Sequence, residues 1–304
     1  MRIAVLGASG TVGSALVPVL AREHEVVAIS RRPHPGGHDD VAWMVGDVMN
    51  PTSIHRALAG VDVVCYLVHS LGQDDFAARD RRGASIVARA AASRGVAQIV
   101  YLGGLGDESD NLSEHLESRR ETERCLAEGS VPLTTIRAGM VVGPGSAAFE
   151  TILALVDRLP AMVCPRWVST PTQPIAADDV VRYIAGVCGN SEAIGETFDA
   201  GGPEVMTYRE MIERIAGLRH KHPVIVEVPF LTPRLSSLWL RLVTPVQAGV
   251  ARPLIDGLRN PTVAHDTRLL ELVPFQLTSF DAAAQAAITA AANASRYPFT
   301  RIGS

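Results

Sequence analysis

The stretch GASGTVG, residues 7–13, constrains this chain more than any other part of it. A short apolar strand precedes it, an apolar run with helical spacing from Val12 to Leu20 follows, and a second apolar strand from Val26 to Ile29 completes a βαβ unit. The glycines Gly7, Gly10 and Gly13 have the spacing GxxGxxG. In that setting one glycine serves the tight turn, one lets backbone approach a pyrophosphate, and one lets the helix pack closely on the strand. Free N–H groups at the start of the helix then face the phosphates. Glycine spacing alone is weak evidence, but its place between a strand and a helix is what a dinucleotide fingerprint requires. Ser9, Gly10, Thr11 and Val12 are therefore read as the pyrophosphate contacts.

The end of the second strand should meet the adenosine ribose, where an Asp or Glu would accept from both hydroxyls of NAD. This chain has Ser30, Arg31 and Arg32 instead. Two guanidiniums suit a 2′-phosphate, so NADP(H) is preferred over NAD(H), with a pair of solvated loop arginines as the alternative. Further apolar strands end in GDV, YLVHS and VYLGGLG, separated by helical segments such as Phe76 to Arg94. Continuous apolar strands of this kind indicate a parallel sheet covered on both faces, the α/β Rossmann-type doubly wound class. Ligands on such sheets bind beyond the carboxyl ends of the strands. Asp47 and Val48 then fall near the adenine, and His69, Ser70, Gly103 and Gly104 near the ribose and nicotinamide. Asp47 serves equally well as the cap of a helix starting near Pro51.

Composition removes several function classes. With a net charge of -4 the chain has no basic footprint for a nucleic-acid backbone. Its four cysteines are widely spaced, without a CxxC pair, and read as reduced structural thiols. The N-terminus leads straight into the first strand, with no apolar segment of signal-peptide length, so a cytoplasmic location is expected. There is no GxSxG elbow, no GxxxxGK[ST] loop and no HExxH, and no metal site is expected. His34 with His38 and His220 with His222 read as surface histidines.

In their order, GASGTVG, GDV, YLVHS, VYLGGLG and QPIAADDV resemble the extended and atypical short-chain dehydrogenase/reductases, particularly the NmrA-like branch. The resemblance covers about residues 1–220 and implies a Rossmann core, 1–140, followed by a mixed segment, 141–304, that completes it and forms a smaller substrate-covering portion. Catalytic members of that superfamily carry a Tyr and a Lys spaced YxxxK on the helix after the fifth strand, and a serine at the end of that strand. Here the matching positions hold His115 and Arg119, within HLESRRETE, and the serine gives way to Gly103 and Gly104.

A histidine with an ordinary pKa near 6.5 can act as an acid, and an arginine can bind ribose hydroxyls and stabilise negative charge. Equally, the segment reads as an amphipathic helix whose charges form solvated i to i+4 pairs. His69, at a strand end, is the alternative donor. The function expected is hydride transfer involving a largely apolar carbonyl, enone or quinone-like small molecule. The rival is an NADP(H)-binding redox sensor or assembly factor without turnover, similar to the Rossmann-type accessory subunit of mitochondrial complex I.

In the second half, Ala138 to Val142, including Gly139, are expected beside the nicotinamide. Met162, Arg166 and Trp167 are expected as pocket walls, and Asp178 and Asp179 as caps of a helix near Val180. The stretch 228–255 is apolar but interrupted by Pro and Arg, too broken for a membrane-spanning helix. Leu235, Leu238, Trp239 and Leu242 there form one apolar face for internal packing, for a homodimer contact or, less readily, for a membrane surface. An alanine-rich helix with Ser279 as its N-cap ends the reading.

Overall fold

The structure, a computed structural model, describes residues 1–33, 41–73, 75–106, 111–228 and 256–296. Strand and helix alternate through the first half: β1 (Arg2–Leu6), α1 (Thr11–Leu20), β2 (Glu25–Ser30), β3 (Val41–Val45), α2 (Pro51–Ala57), β4 (Val63–Tyr66), α3 (Phe76–Arg94), β5 (Gln98–Gly104), α4 (Glu114–Ala127) and β6 (Leu133–Ala138). The second half adds β7 (Val141–Val142), α5 (Ala147–Arg158), β8 (Ala161–Pro165), β9 (Pro171–Thr172), β10 (Ile175–Ala176), α6 (Ala177–Val187), β11 (Thr197–Ala200), β12 (Met206–Thr207), α7 (Tyr208–Leu218) and β13 (Val224–Val228). Helices Arg268–Leu272 and Phe280–Arg296 follow.

Seven parallel strands form one sheet in the order β11-β6-β5-β4-β1-β2-β3. The order runs outward from β1 in both directions, so the chain reverses its progress across the sheet between β1 and β4. The strands splay their connections apart there and leave a crevice at their carboxyl ends. Parallel strands need both faces covered, and they have it. Leu16, Val17 and Leu20 of α1 pack with Val180, Ile184 and Val187 of α6 on one face. On the other face Ile54 of α2, Ile86 and Val87 of α3, and Leu126 of α4 close the core. Each such fully buried aliphatic side chain contributes about 1.5–3 kcal/mol.

A third apolar cluster joins Phe149 and Ile152 of α5, Met211 and Ile215 of α7, and Ala284 and Ile288 of the C-terminal helix. Ser279 caps that helix as expected, accepting from Ala282 N. The expectations for Met162 and for Asp178 with Asp179 fail in this half. Met162 is 3% exposed inside the third cluster, because its position alternates inward on β8, and so it is core rather than pocket wall. Trp167 meets Tyr208 edge-on with ring centroids 6.4 Å apart, while Arg166 is exposed.

Asp178 and Asp179 do not cap α6, whose N-cap is Ala176. Asp179 is fully buried and instead accepts from Thr278 N at 2.7 Å and Thr278 Oγ1 at 3.0 Å, which ties the C-terminal segment to the core. Leu235, Leu238, Trp239, Leu242, His34 and His38 lie outside the described residues. Among the described residues, no helix is long and apolar enough to cross a membrane.

Candidate functional site

The crevice is built on the glycine turn. Gly7 has φ +88, a conformation that side chains disfavour, and its N–H and that of Ala8 both donate to Ile29 O at 3.2 Å. A Cβ on Gly13 would lie 2.2 Å from Gly7 O, so no other residue lets α1 sit this close to the turn. Gly10 is the N-cap of α1 and offers no side-chain cap, which leaves the helix N–H groups for a ligand.

A cleft opens over this turn, lined among others by Gly7, Ser9, Gly10, Arg31, Asp47, Val48, His69 and Arg79. Thr11, Val12, Gly13, Arg32, Gly103, Gly104 and Gly139 are not among its walls. Gly13 acts from behind the turn, and Thr11 Oγ1 donates to Gly145 O at 2.9 Å, holding the loop after β7. Gly139 packs on another loop, since a Cβ there would lie 2.4 Å from Gln173 O. Bare glycine backbone, a helix N-terminus and a cation along one cleft fit a dinucleotide diphosphate.

Asp47 had two candidate roles, and the capping one falls. The N-cap of α2 is Asn50, whose side chain accepts from Ser53 N at 3.1 Å. Asp47 Oδ1 accepts from Met49 N at 2.9 Å, which shapes the loop and leaves the carboxylate at the cleft wall.

Behind the His69 and Ser70 wall of the cleft lies α4, linked to it through Asp80 and His115. That helix begins under a Ser113 cap and buries Leu116 and Leu126, but also Ser118, Arg119, Arg120 and Thr122. The solvated-face reading of this helix therefore fails at Arg119 and Arg120. Its polar face turns inward because α4 packs along α3 and because Gly104 gives it room: a Cβ there would stand 3.2 Å from Leu116 Cδ2. Arg119 is 9% exposed, lies over the Tyr101 ring at 4.8 Å, and donates through Nη2 to Leu102 O. Tyr101 OH donates back to Arg119 O at 3.0 Å. Its Nη1 is buried as well and has no hydrogen-bond partner among the described residues. Arg137, at the end of β6, is held by Glu123 through bonds of 2.8 and 3.2 Å.

Asp80 of α3 is buried nearby, accepting from Ser70 N at 2.7 Å and Ser118 Oγ at 3.5 Å. Burial pushes its carboxyl above the ordinary range, while the bonds from Ser70 and Ser118 and the charge of Arg119 pull the other way. Burial likewise raises the Tyr66 phenol, with the Asp80 charge adding to it. His115 is held down to about 3 by burial, then by Arg119 and His69. His69 keeps ring surface open to the cleft, so water reaches it. The protein walls and the Arg119 cation still lower its pKa, by less than full enclosure would. The structure thus gathers His69, His115 and Arg119 into one electrostatic unit, but the ordinary histidine pKa assumed for an acid does not apply. Both rings are neutral near pH 7.

Asp80, Tyr66, Tyr101 and Arg79 escaped the sequence reading. Each sits in an apolar or helical run whose pattern reports burial, not the chemistry of its neighbours.

Residues 7–152 match the NAD(P)H-binding family. An uncharacterised protein of Mycobacterium tuberculosis is 26% identical over 80% of this chain, which spans only 26% of that relative's length. Subunit 9 of the NADH dehydrogenase [ubiquinone] 1 alpha subcomplex, mitochondrial, from Arabidopsis thaliana is 23% identical, covering 91% of this chain and 75% of its own. The triphenylmethane reductase of Citrobacter sp., solved with NADP(H), superposes with a TM-score of 0.73 at 17% identity over 94% of this chain and 100% of its own. Sheet order and glycine turn agree with the match of residues 7–152 to the NAD(P)H-binding family, and the reductase shares the fold.

Proposed function

We propose that this chain is a cytoplasmic, NmrA-like oxidoreductase that prefers NADP(H) and acts on a largely apolar carbonyl, enone or quinone-like group. One observation carries the reading. A single cleft runs from Arg31 to His69, and His69 shares an electrostatic unit with His115 and Arg119. Gly7, Ser9 and Gly10 would hold the diphosphate, and Arg31, with Arg32 beside it, the 2′-phosphate. When bound, the nicotinamide supplies or accepts the hydride. A substrate oxygen gaining charge beside His115 would accept from a neutral ring N–H and feel the Arg119 cation. Neither histidine is a charged acid at neutral pH, so the site favours an acceptor whose product anion is delocalised, an enolate or a hydroquinone monoanion, over a simple ketone.

The same depressed histidines favour a second reading, an NADP(H)-binding sensor or assembly factor without turnover. The Arabidopsis relative, a subunit of NADH dehydrogenase by its name, supports that alternative. Turnover of NADPH and of NADH with quinones, enones and ketones separates them, measured on the wild type and on Arg31→Ala/Arg32→Ala. Turnover with a quinone or enone is expected, with the preference for NADPH falling about tenfold or more in the double variant, the scale of one charge-assisted hydrogen bond. Stoichiometric binding with no turnover would favour the second reading. Equal loss for both nucleotides would remove the 2′-phosphate role.

A further inference from the structure

Arg79 is a cleft residue that the glycine motif, the resemblance and the proposed chemistry leave without a task. It lies in the first turn of α3 and lines the same wall as Asp47, Val48 and Met49. Its Nε is fully buried, and no partner among the described residues takes it. A buried donor on a charged group is rarely left unpaired, because its lost hydration is not otherwise repaid.

The position of Arg79 along the cleft follows from its own helix. Residues four apart on a helix share a face. Gly83, four residues on from Arg79, packs on Val48, where a Cβ would stand 3.0 Å from Val48 Cγ2. Arg79 is therefore one turn nearer the cleft mouth above Val48 and Met49. The adjacent Asp80 accepts from Ser70 N, so this turn of α3 is fixed to the loop after β4. Arg31 comes from the end of β2 and the glycine turn from the end of β1, whereas Arg79 reaches the cleft from a helix across the β3 loop. That places it beside the base rather than at the helix N-terminus that faces the diphosphate.

We propose that Arg79 is a specificity-determining residue for the purine base of the dinucleotide: its planar guanidinium closes the adenine slot from α3 and donates to a ring nitrogen. An adenine offers in-plane acceptors and a π face, and a guanidinium can serve both, since it has five donors and no acceptor. This rests on the dinucleotide reading of the cleft. It adds a recognition element for the base, separate from the Arg31 and Arg32 contacts to the ribose phosphate.

Calorimetric titration tests it on wild type, Arg79→Gln and Arg79→Lys with NADPH, NADH and reduced nicotinamide mononucleotide, which lacks the base. Arg79→Gln is expected to weaken NADPH and NADH equally, by about tenfold. Arg79→Lys should recover only part of that, because an ammonium cannot match the planar geometry. Mononucleotide affinity should not change. Unaltered affinity for both dinucleotides would overturn the proposal, as would a loss confined to NADPH, which would move Arg79 to the 2′-phosphate. Wild-type protein that binds none of the three would overturn the cofactor reading itself. Matching thermal melts of the variants exclude a folding defect as the source of any loss.

Discussion

The glycine turn that lines the cleft and the α4 cluster behind its His69 wall are built by different physics. At the β1–α1 end the requirements are local: a positive φ at Gly7, a helix packed on its own turn at Gly13, and a start of α1 that its N-cap Gly10 leaves without a side-chain cap. At the α4 end nothing is local. Arg119 is defined by Leu102 and Tyr101 on β5, Asp80 by Ser70 and Ser118, and the two histidines by Arg119. A site made by backbone shape tolerates few substitutions anywhere in a short segment. A site made by mutual burial depends on partners dozens of residues apart.

The largest effect that would break this contrast belongs to the glycine end. Gly13→Ala puts a methyl 2.2 Å from Gly7 O, and neither backbone can retreat without opening the turn. A destabilisation of about 3 kcal/mol and loss of nucleotide binding are expected, read by denaturant unfolding and calorimetry. Unchanged stability would mean that the turn is adaptable and the contrast overstated.

Arg119→Met should come next. It keeps much of the side-chain volume but leaves Leu102 O without its donor and removes the cation over Tyr101, at a cost of about 2 kcal/mol. The more telling readout is the His115 ring, followed by NMR through a pH titration. Its pKa should rise from about 3, though not to the ordinary value, because burial is the larger cause and persists. A fixed pKa would show that Arg119 does not bear on the site.

The smallest effect concerns acid stability. His115 has a folded pKa below its unfolded one, so the fold favours the neutral ring. That contribution is fully present above about pH 6.5 and is lost as pH falls through the folded value near 3, since the unfolded chain binds the proton first. His115→Asn should therefore leave stability near pH 7 within about 0.5 kcal/mol while flattening its decline toward acid. An unchanged acid slope would assign that decline to other groups.

Much of the fold was legible because its rules are short-range. Strand-length apolar runs, helix spacing and the glycine turn sit within βαβ segments, and α3 spans Phe76–Arg94 as the pattern indicated. The cleft residues Gly7, Ser9, Gly10, Arg31, Asp47, Val48 and His69 followed from the rule that ligands gather at strand ends. Where the reading failed, a remote partner had decided. Asp179 looked like a helix cap, but Thr278 supplies donors that hold it in the core. Met162 looked like a pocket wall, but the third cluster enclosed it.

By itself, then, the sequence determined a parallel α/β core, a phosphate-facing turn and a cation at the end of β2, because each is specified by neighbours within about one βαβ unit. Only the tertiary structure decided that HLESRRETE turns its polar face inward, that Arg119 is a buried cation and not a solvated one, and that two histidines are neutral. Burial is a property of what packs on a residue, and no spacing within α4 records the approach of α3 and β5.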